Sequence, residues 1–340
     1  MKTGLILMTA LPPTKGHQYL VDFAIEHLAA VDPDNILKVI INGRNCEPIS
    51  VGRRQRAFFT DGINKSNVWV YAANDDMPQE PSDHPQFWEI WKTFCNRFGK
   101  FDYVYASETY GAKLAEVLGA EFVPCNLYRD VVFANATRVR NDPLAFFTDI
   151  HPGFQDNARA TITIFGPESC GKTTMAAALA QTLPGHFVPE WARGYLENFG
   201  AEVTSKKMEM ITEAQYASQK AVEKFKDKPF IIRDTDLLST YGYYALWGDK
   251  RVPKKCQLLT KESLADYYIL MNDQIPFEAD PLRYGGDKRE SDNSYWKNLL
   301  DKFELPYYCV QSYSRKAQLA ECQKACRNFF YHKNNWKFER

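Results

Sequence analysis

An apolar run at residues 162–165 feeds directly into Gly166-x-x-x-x-Gly171-Lys172-Thr173, and a helix-forming stretch opens at Met175. This order constrains the fold more than any other feature of the chain. A strand, a glycine-bounded loop and a helix make the phosphate-cradling turn of nucleotide hydrolases and kinases. Gly166 and Gly171 let backbone N–H groups turn inward around a phosphate, Lys172 adds a point charge between the terminal phosphates, and the Thr173 hydroxyl is placed to ligate Mg²⁺. Ser169 and Thr174 are expected to complete the ATP contacts, and the partial positive charge of the helix N-terminus reinforces them. The sequence thus predicts a nucleoside triphosphate site, with ATP as co-substrate. The loop begins only at residue 166 of 340, so a second body of ordinary domain size precedes it.

Composition limits what that body and its partners are. Hydrophobic residues make up 45% and charged residues 25%, as in an ordinary globular chain. The 42 basic and 42 acidic side chains cancel, which gives no long-range reason to expect nucleic acid or an acidic membrane as partner. The expected partners are small molecules, and a homo-oligomer is compatible with the sequence. The eight cysteines contain no Cys-x-x-Cys, and the six histidines have no zinc-site spacing. Free thiols in an enzyme-sized chain point to a reducing, cytoplasmic setting. The apolar run 4–8 is too short for a signal-peptide core or a membrane span.

Strand and helix alternate twice. The first half reads as a strand at 5–8, a helix from Gly16 to about Ala30 with a stripe of Leu20, Val21, Ala24, Ile25 and Leu28, a strand at 36–41, a helical stretch near 53–61, a strand at 68–71, a proline-containing loop at 75–85, a helix at 86–98, a strand at 103–106 and a helix at about 109–118. That order predicts a parallel sheet covered on both faces. Residues 150–158, with Pro152 and Gly153 and no periodicity, read as a linker. The second half restarts with a strand at 160–165 and continues through a helical 205–225, strands at 229–233 and 267–271, and a helix at about 316–330. The expected division is 1–149, a linker at 150–158, 159–330 and a polar tail at 331–340, which either is disordered or packs on the body.

Downstream of the phosphate loop, an apolar strand ends in Asp234-Thr235-Asp236. One carboxylate is expected to hold Mg²⁺, and the other, or the same one, to accept a proton from an attacking hydroxyl. Glu190, Arg193 and Tyr195, with Trp191 between them, suit a sugar hydroxyl pair and a flat base, and equally suit a surface helix. Asp280, Arg283, Lys288 and Arg289 surround two glycines, as in a loop that closes cations over phosphates or in a plain solvated loop.

In the first half, Pro12-Pro13-Thr14-Lys15-Gly16-His17 lies between the first strand and the first helix. Thr14, Gly16 and His17 at that place match the T/H-x-G-H of nucleotidyltransferases, in which hydroxyl and imidazole address the ATP phosphates. A simple capping turn is the bland alternative. Asn135, Thr137, Arg138 and Arg140 offer a helix cap, a hydroxyl and two guanidiniums at a second helix start, and Ser107 follows the fourth strand as a further ATP contact.

Taken in order, these segments resemble the NadR-like bifunctional family, an adenylyltransferase followed by a ribosylnicotinamide kinase. The resemblance covers about residues 3–330. Met77-Pro78 with Trp88 and Trp91 is similar to the family's proline loop and W-x-x-W segment, and Glu190–Tyr195 and Asp280–Arg283 fit its kinase half. The chain departs from the pattern at Met8 and Ala10, where a glycine and a phenylalanine are usual, at Thr14 for the first histidine, and at Asn135 for a serine. Some members carry an N-terminal helix-turn-helix domain; with a first strand expected at about residue 4, none is expected in this sequence.

The resemblance implies a Rossmann-like nucleotidyltransferase followed by a P-loop kinase, both α/β with parallel sheets. The kinase half would phosphorylate ribosylnicotinamide to the mononucleotide (NMN), and the first half would join NMN to AMP from ATP, giving NAD and pyrophosphate. Mg²⁺ is implied in both. His17, Lys172, Asp234, Asp236 and Arg283 would be catalytic, with Thr173 and Asp234 on the metal and Arg289 on ATP. Trp88 or Trp91 would stack on the nicotinamide ring or serve as a core aromatic. The rival readings are an adenylyltransferase for nicotinate mononucleotide or phosphopantetheine fused to a nucleoside kinase, and a non-catalytic nucleotide sensor.

Overall fold

The structure, a computed structural model, describes residues 1–59, 67–200, 204–247, 251–274 and 291–337. It divides into two compact units, one of Met1–Ala158 with the chain end from Asn334, the other of Arg159–Lys333. Both are α/β with all-parallel five-stranded sheets.

In the first unit the strands are β1 (Thr3–Met8), β2 (Ile36–Asn42), β3 (Val68–Ala73), β4 (Tyr103–Ala106) and β5 (Glu121–Pro124), in the order β3-β2-β1-β4-β5. The helices are α1 (Lys15–Val31), α2 (Val51–Phe59), α3 (Phe87–Asn96), α4 (Tyr110–Leu118), α5 (Ala136–Asn141) and α6 (Pro152–Ala158). The buried residues of α1 are Leu20, Val21, Ala24, Ile25 and Leu28, the stripe expected from the sequence. Because β2 and β4 flank β1 on opposite sides, the order reverses at β1, and a crevice is expected beyond its carboxyl end.

The second unit holds β6 (Ala160–Phe165), β7 (Gly185–Val188), β8 (Phe230–Asp234), β9 (Tyr267–Leu270) and β10 (Tyr307–Cys309), in the order β10-β9-β6-β8-β7. Its helices are α7 (Lys172–Thr182), α8 (Trp191–Phe199), α9 (Ser205–Glu223), α10 (Leu237–Trp247), α11 (Lys254–Glu262), α12 (Asn293–Lys302) and α13 (Arg315–Lys333). The central strand β6 is buried along nearly its whole length, as a parallel strand covered on both faces must be. Phe165, Leu238, Tyr268 and Trp296 form the core beside it.

One stretch differs from the sequence expectation, and for the tail one of the two open alternatives is taken up. Residues 150–158 contain the helix α6 rather than an irregular linker, because Phe154 and Ala158 are fully buried and anchor it. Of the tail, residues 331–333 continue α13, Trp336 is buried edge-on against Phe154, and Asn334 donates to the Ala158 carbonyl at 2.8 Å. Among the described residues no helix is long and apolar enough to cross a membrane.

Candidate active sites

Gly166 and Gly171 have φ of +133° and +85°, a backbone region that glycine enters freely, and Ser169 between them is held at +57°. The phosphate loop thereby turns from the end of β6 into the first turn of α7, whose leading N–H groups have no intrahelical acceptor. The Lys172 ammonium lies over the loop, donating to the carbonyls of Gly166 at 3.0 Å and Pro167 at 2.6 Å. Thr173 stands next to it on the first turn and Thr174 follows, more exposed.

β8 lies beside β6 with Asp234 in register with Ile164, so this carboxylate ends its strand next to the start of the phosphate loop. Asp234 and Asp236 are both buried but differ in surroundings. Both oxygens of Asp236 are engaged, one by Leu238 and Ser239 N–H groups at 3.0 and 3.4 Å, the other by the Tyr268 and Thr163 hydroxyls at 2.7 and 3.2 Å. Asp236 therefore caps α10 and ties it to the sheet; burial pushes its pKa up, against the pull of Arg233 and Tyr268. The intervening Thr235 has φ of +62°, a strained conformation for a β-branched residue.

Glu190 ends the loop after β7 and stands at the N-cap of α8, yet Gln215 does the capping, accepting from Trp191 N–H at 2.8 Å. The Glu190 carboxylate instead lies 3.8 Å from Arg193 Nε. Trp191, Tyr195 and Phe199 stack in a ladder along α8, with ring centroids 5.2 and 5.1 Å apart. Burial, then the charges of Glu168 and Glu190, hold the Tyr243 phenol protonated far above its usual range. Asp280, Arg283 and Arg289 lie outside the described residues.

Sequence reasoning passed over Glu168. It is a buried carboxylate inside the phosphate loop, and the Ser291 hydroxyl donates to it at 3.5 Å while accepting from the Trp296 indole at 2.9 Å. The motif spacing hides it, because its position is one of the four that the pattern leaves free.

In the first unit, the backbone N–H of Thr14 donates to His17 Nδ1 at 3.0 Å and the Thr14 hydroxyl lies 2.9 Å from the same nitrogen. A nitrogen that accepts a backbone N–H carries no proton, so the neutral ring keeps its proton on Nε2. Burial, then the positive surroundings of His151 and Arg129, lower the His17 pKa to about 4. The imidazole is thus a neutral donor at the N-terminus of α1. Gly16 admits no side chain, since a Cβ there would lie 2.9 Å from the Ala134 carbonyl oxygen. This close approach brings the start of α5 to the mouth of α1.

Asn135 caps α5, accepting from Thr137 and Arg138 N–H groups at 2.8 and 3.4 Å. Arg140 donates to the Leu11 carbonyl and to Thr137 Oγ1, and the Arg138 guanidinium lies 4.2 Å from the Phe146 ring centre. Arg129, which no sequence pattern marked, is paired with Glu108 at 2.6 Å. Ser107 lies near the buried Cys125 thiol, whose pKa burial pushes up to about 11. Trp91 donates to the Pro78 carbonyl at 3.0 Å, and both Trp88 and Trp91 pack on the core around Phe94 and Leu114. Five of the six described non-glycine residues with positive φ, namely Ala10, Asn126, Arg129, Ser169 and Thr235, flank these two loop systems, where stored strain is common at working sites.

Comparisons with known proteins agree with the fold of both units. Residues 161–317 match the family model of an AAA domain. The chain is 25% identical to the trifunctional NAD biosynthesis/regulator protein NadR of Escherichia coli (strain K12), over 95% of this chain and 82% of that protein. It is 26% identical to the Salmonella typhimurium (strain LT2) protein of the same name, over 87% of this chain and 75% of that one. Among solved structures, a NadR protein in complex with NR superposes with a TM-score of 0.63 at 19% identity, covering 100% of this chain and 98% of the other. A NadR protein in complex with NAD and AMP-PNP gives 0.62 at 20% identity with the same coverage. In sequence over most of its length, and in fold across both units, the chain is similar to the NadR proteins.

Proposed function

We propose that the second unit transfers the ATP γ-phosphate to the 5′-hydroxyl of ribosylnicotinamide, and that the first joins the resulting mononucleotide to AMP from a second ATP, giving NAD and pyrophosphate. What supports this reading is that the NadR likeness spans both units and that each unit has a side chain suited to a phosphate, His17 or Lys172, at a helix N-terminus behind its central strand.

In phosphoryl transfer, Lys172 and the leading N–H groups of α7 bind the β- and γ-phosphates and take up charge as the bond to the leaving oxygen lengthens. Asp234, at the end of β8, is the better candidate of the two aspartates to act near the phosphates, because Asp236 is committed to its cap. A hydroxyl and a carboxylate oxygen are the donor set that a hard divalent cation takes, so Thr173 and Asp234 would hold Mg²⁺. Bound there, the ion would neutralise crowded phosphate oxygens. Glu190 accepts the ribose hydroxyls, and the α8 aromatics lie on the base side. In adenylyl transfer, the Nε2–H of His17 donates to the α-phosphate oxygen on which charge develops, the α1 N-terminus adds to it, and Arg138 grips the remaining phosphates. Arg140 shapes the loop through Leu11.

Incubation of the purified protein with ribosylnicotinamide, ATP and Mg²⁺, followed by chromatography, tests the reading. It predicts NMN first and NAD after it. Turnover of nicotinate mononucleotide or phosphopantetheine with none of NMN would transfer the first unit to another specificity, and binding of ATP without turnover of any acceptor would make the protein a sensor.

A further inference from the structure

The Arg54 and Glu47 side chains form an ion pair at 2.7 Å and are almost wholly buried, at 0% and 3% exposure. A buried ion pair is poor evidence for stability, since packed apolar side chains of similar volume do as well. The second bond of Arg54 is more telling. Arg54 Nη2 holds Glu47, while Nη1 donates at 2.7 Å to the carbonyl of Thr9, the first residue beyond β1. A flat guanidinium makes two such bonds in fixed directions, which a lysine cannot. Space for it is reserved at the end of β2, where a Cβ on Gly43 would run into Nη2 of Arg54 and lie 2.6 Å from Oε2 of Glu47.

The loop that Arg54 grips leads to His17. After Thr9, Ala10 is buried with φ of +48°, a conformation that surrounding contacts must enforce. The Leu11 carbonyl then takes Arg140, the Pro13 carbonyl takes His151 N–H at 3.0 Å, and Thr14 closes on His17. Carbonyls of Thr9, Leu11 and Pro13 are thus held in succession along a segment without regular structure.

We infer that Arg54 is a positioning residue for adenylyl transfer: through the Thr9 carbonyl, with Glu47 aiming the guanidinium, it fixes the loop that sets His17 against the phosphates. The inference rests on the adenylyl-transfer reading of the first unit. Being buried, Arg54 acts through the loop and not on the nucleotide.

The test uses the full chain with Arg54→Met, Arg54→Lys and Glu47→Gln. Adenylyl transfer to NMN is measured, ribosylnicotinamide phosphorylation by the other unit reports an intact protein, and the His17 titration is followed by NMR. Arg54→Met is expected to lower the adenylyl-transfer kcat by about 10²-fold, the scale of a small misplacement of catalytic groups, with phosphorylation kept. Arg54→Lys, retaining one of the two bonds, recovers part of the rate. The His17 midpoint rises from about 4 toward the ordinary 6.5 in Arg54→Met as the ring is loosened from its setting. An unchanged kcat together with an unmoved His17 titration overturns the inference. Should Arg54→Met fail to fold, Arg54→Lys and Glu47→Gln decide by the same two readouts. If the unmodified protein makes no dinucleotide, the reading of the first unit fails, while the His17 titration still decides whether Arg54 sets the ring.

Discussion

The N–H of Thr14 points at Nδ1 of His17 from 3.0 Å, so the backbone of the helix start selects the tautomer of the ring. Selection of a neutral donor has a stability consequence. The folded state keeps His17 neutral down to about pH 4, whereas the unfolded chain binds a proton near 6.5. Between those values the unfolded state holds more protons, so stability falls as pH drops through this window and is fully present above it. The contribution is at most about 3 kcal/mol. Urea midpoints of the first unit should therefore fall more steeply from pH 6.5 to 4 in the unmodified protein than in His17→Gln. Parallel pH profiles would show that the ring titrates normally.

The two aspartates after β8 should separate by the property they affect. Asp236→Ala strands the Tyr268 and Thr163 hydroxyls and two α10 amides, and is expected to cost about 3 kcal/mol in the second unit's thermal unfolding. Asp234→Asn should leave the unfolding midpoint nearly unchanged and lower phosphorylation by about 10²-fold or more. The reverse pattern would exchange their roles.

The phosphate loop is legible because its chemistry requires particular residues at fixed spacing, and α1 in the first unit because it shows a clean apolar stripe. Strands β5 and β10 are not, since each is a short edge strand without alternation. Glu168 and Arg54 escaped for a different reason. Their roles come from burial and from partners distant in sequence, Ser291 for one and Thr9 for the other. The aspartate pair was ambiguous in sequence, and hydrogen-bond saturation of Asp236 now favours Asp234 for the chemistry. In sequence α6 looks like a linker because Pro152 and Gly153 mask a helix held by two buried side chains, Phe154 and Ala158.

Glu190 stands at a helix start whose first N–H is taken by Gln215, and its carboxylate lies 3.8 Å from Arg193 Nε. If Glu190 accepts ribose hydroxyls, each hydroxyl missing from the substrate forfeits about 1–3 kcal/mol. Ribosylnicotinamide should be turned over far better than its 2′-deoxy analogue, and Glu190→Ala should narrow the gap. Equal kcat/KM for the two nucleosides with the unmodified enzyme would remove Glu190 from the sugar site.

The central claim is that two separate sites act in sequence, and paired variants supplied with either ribosylnicotinamide or NMN, plus ATP and Mg²⁺, test it most directly. Lys172→Ala should lose NMN formation by about 10²-fold or more and still make NAD from supplied NMN; His17→Ala should accumulate NMN and stop there. Collapse of both reactions in either variant, with the protein still folded, would contradict the two-site account.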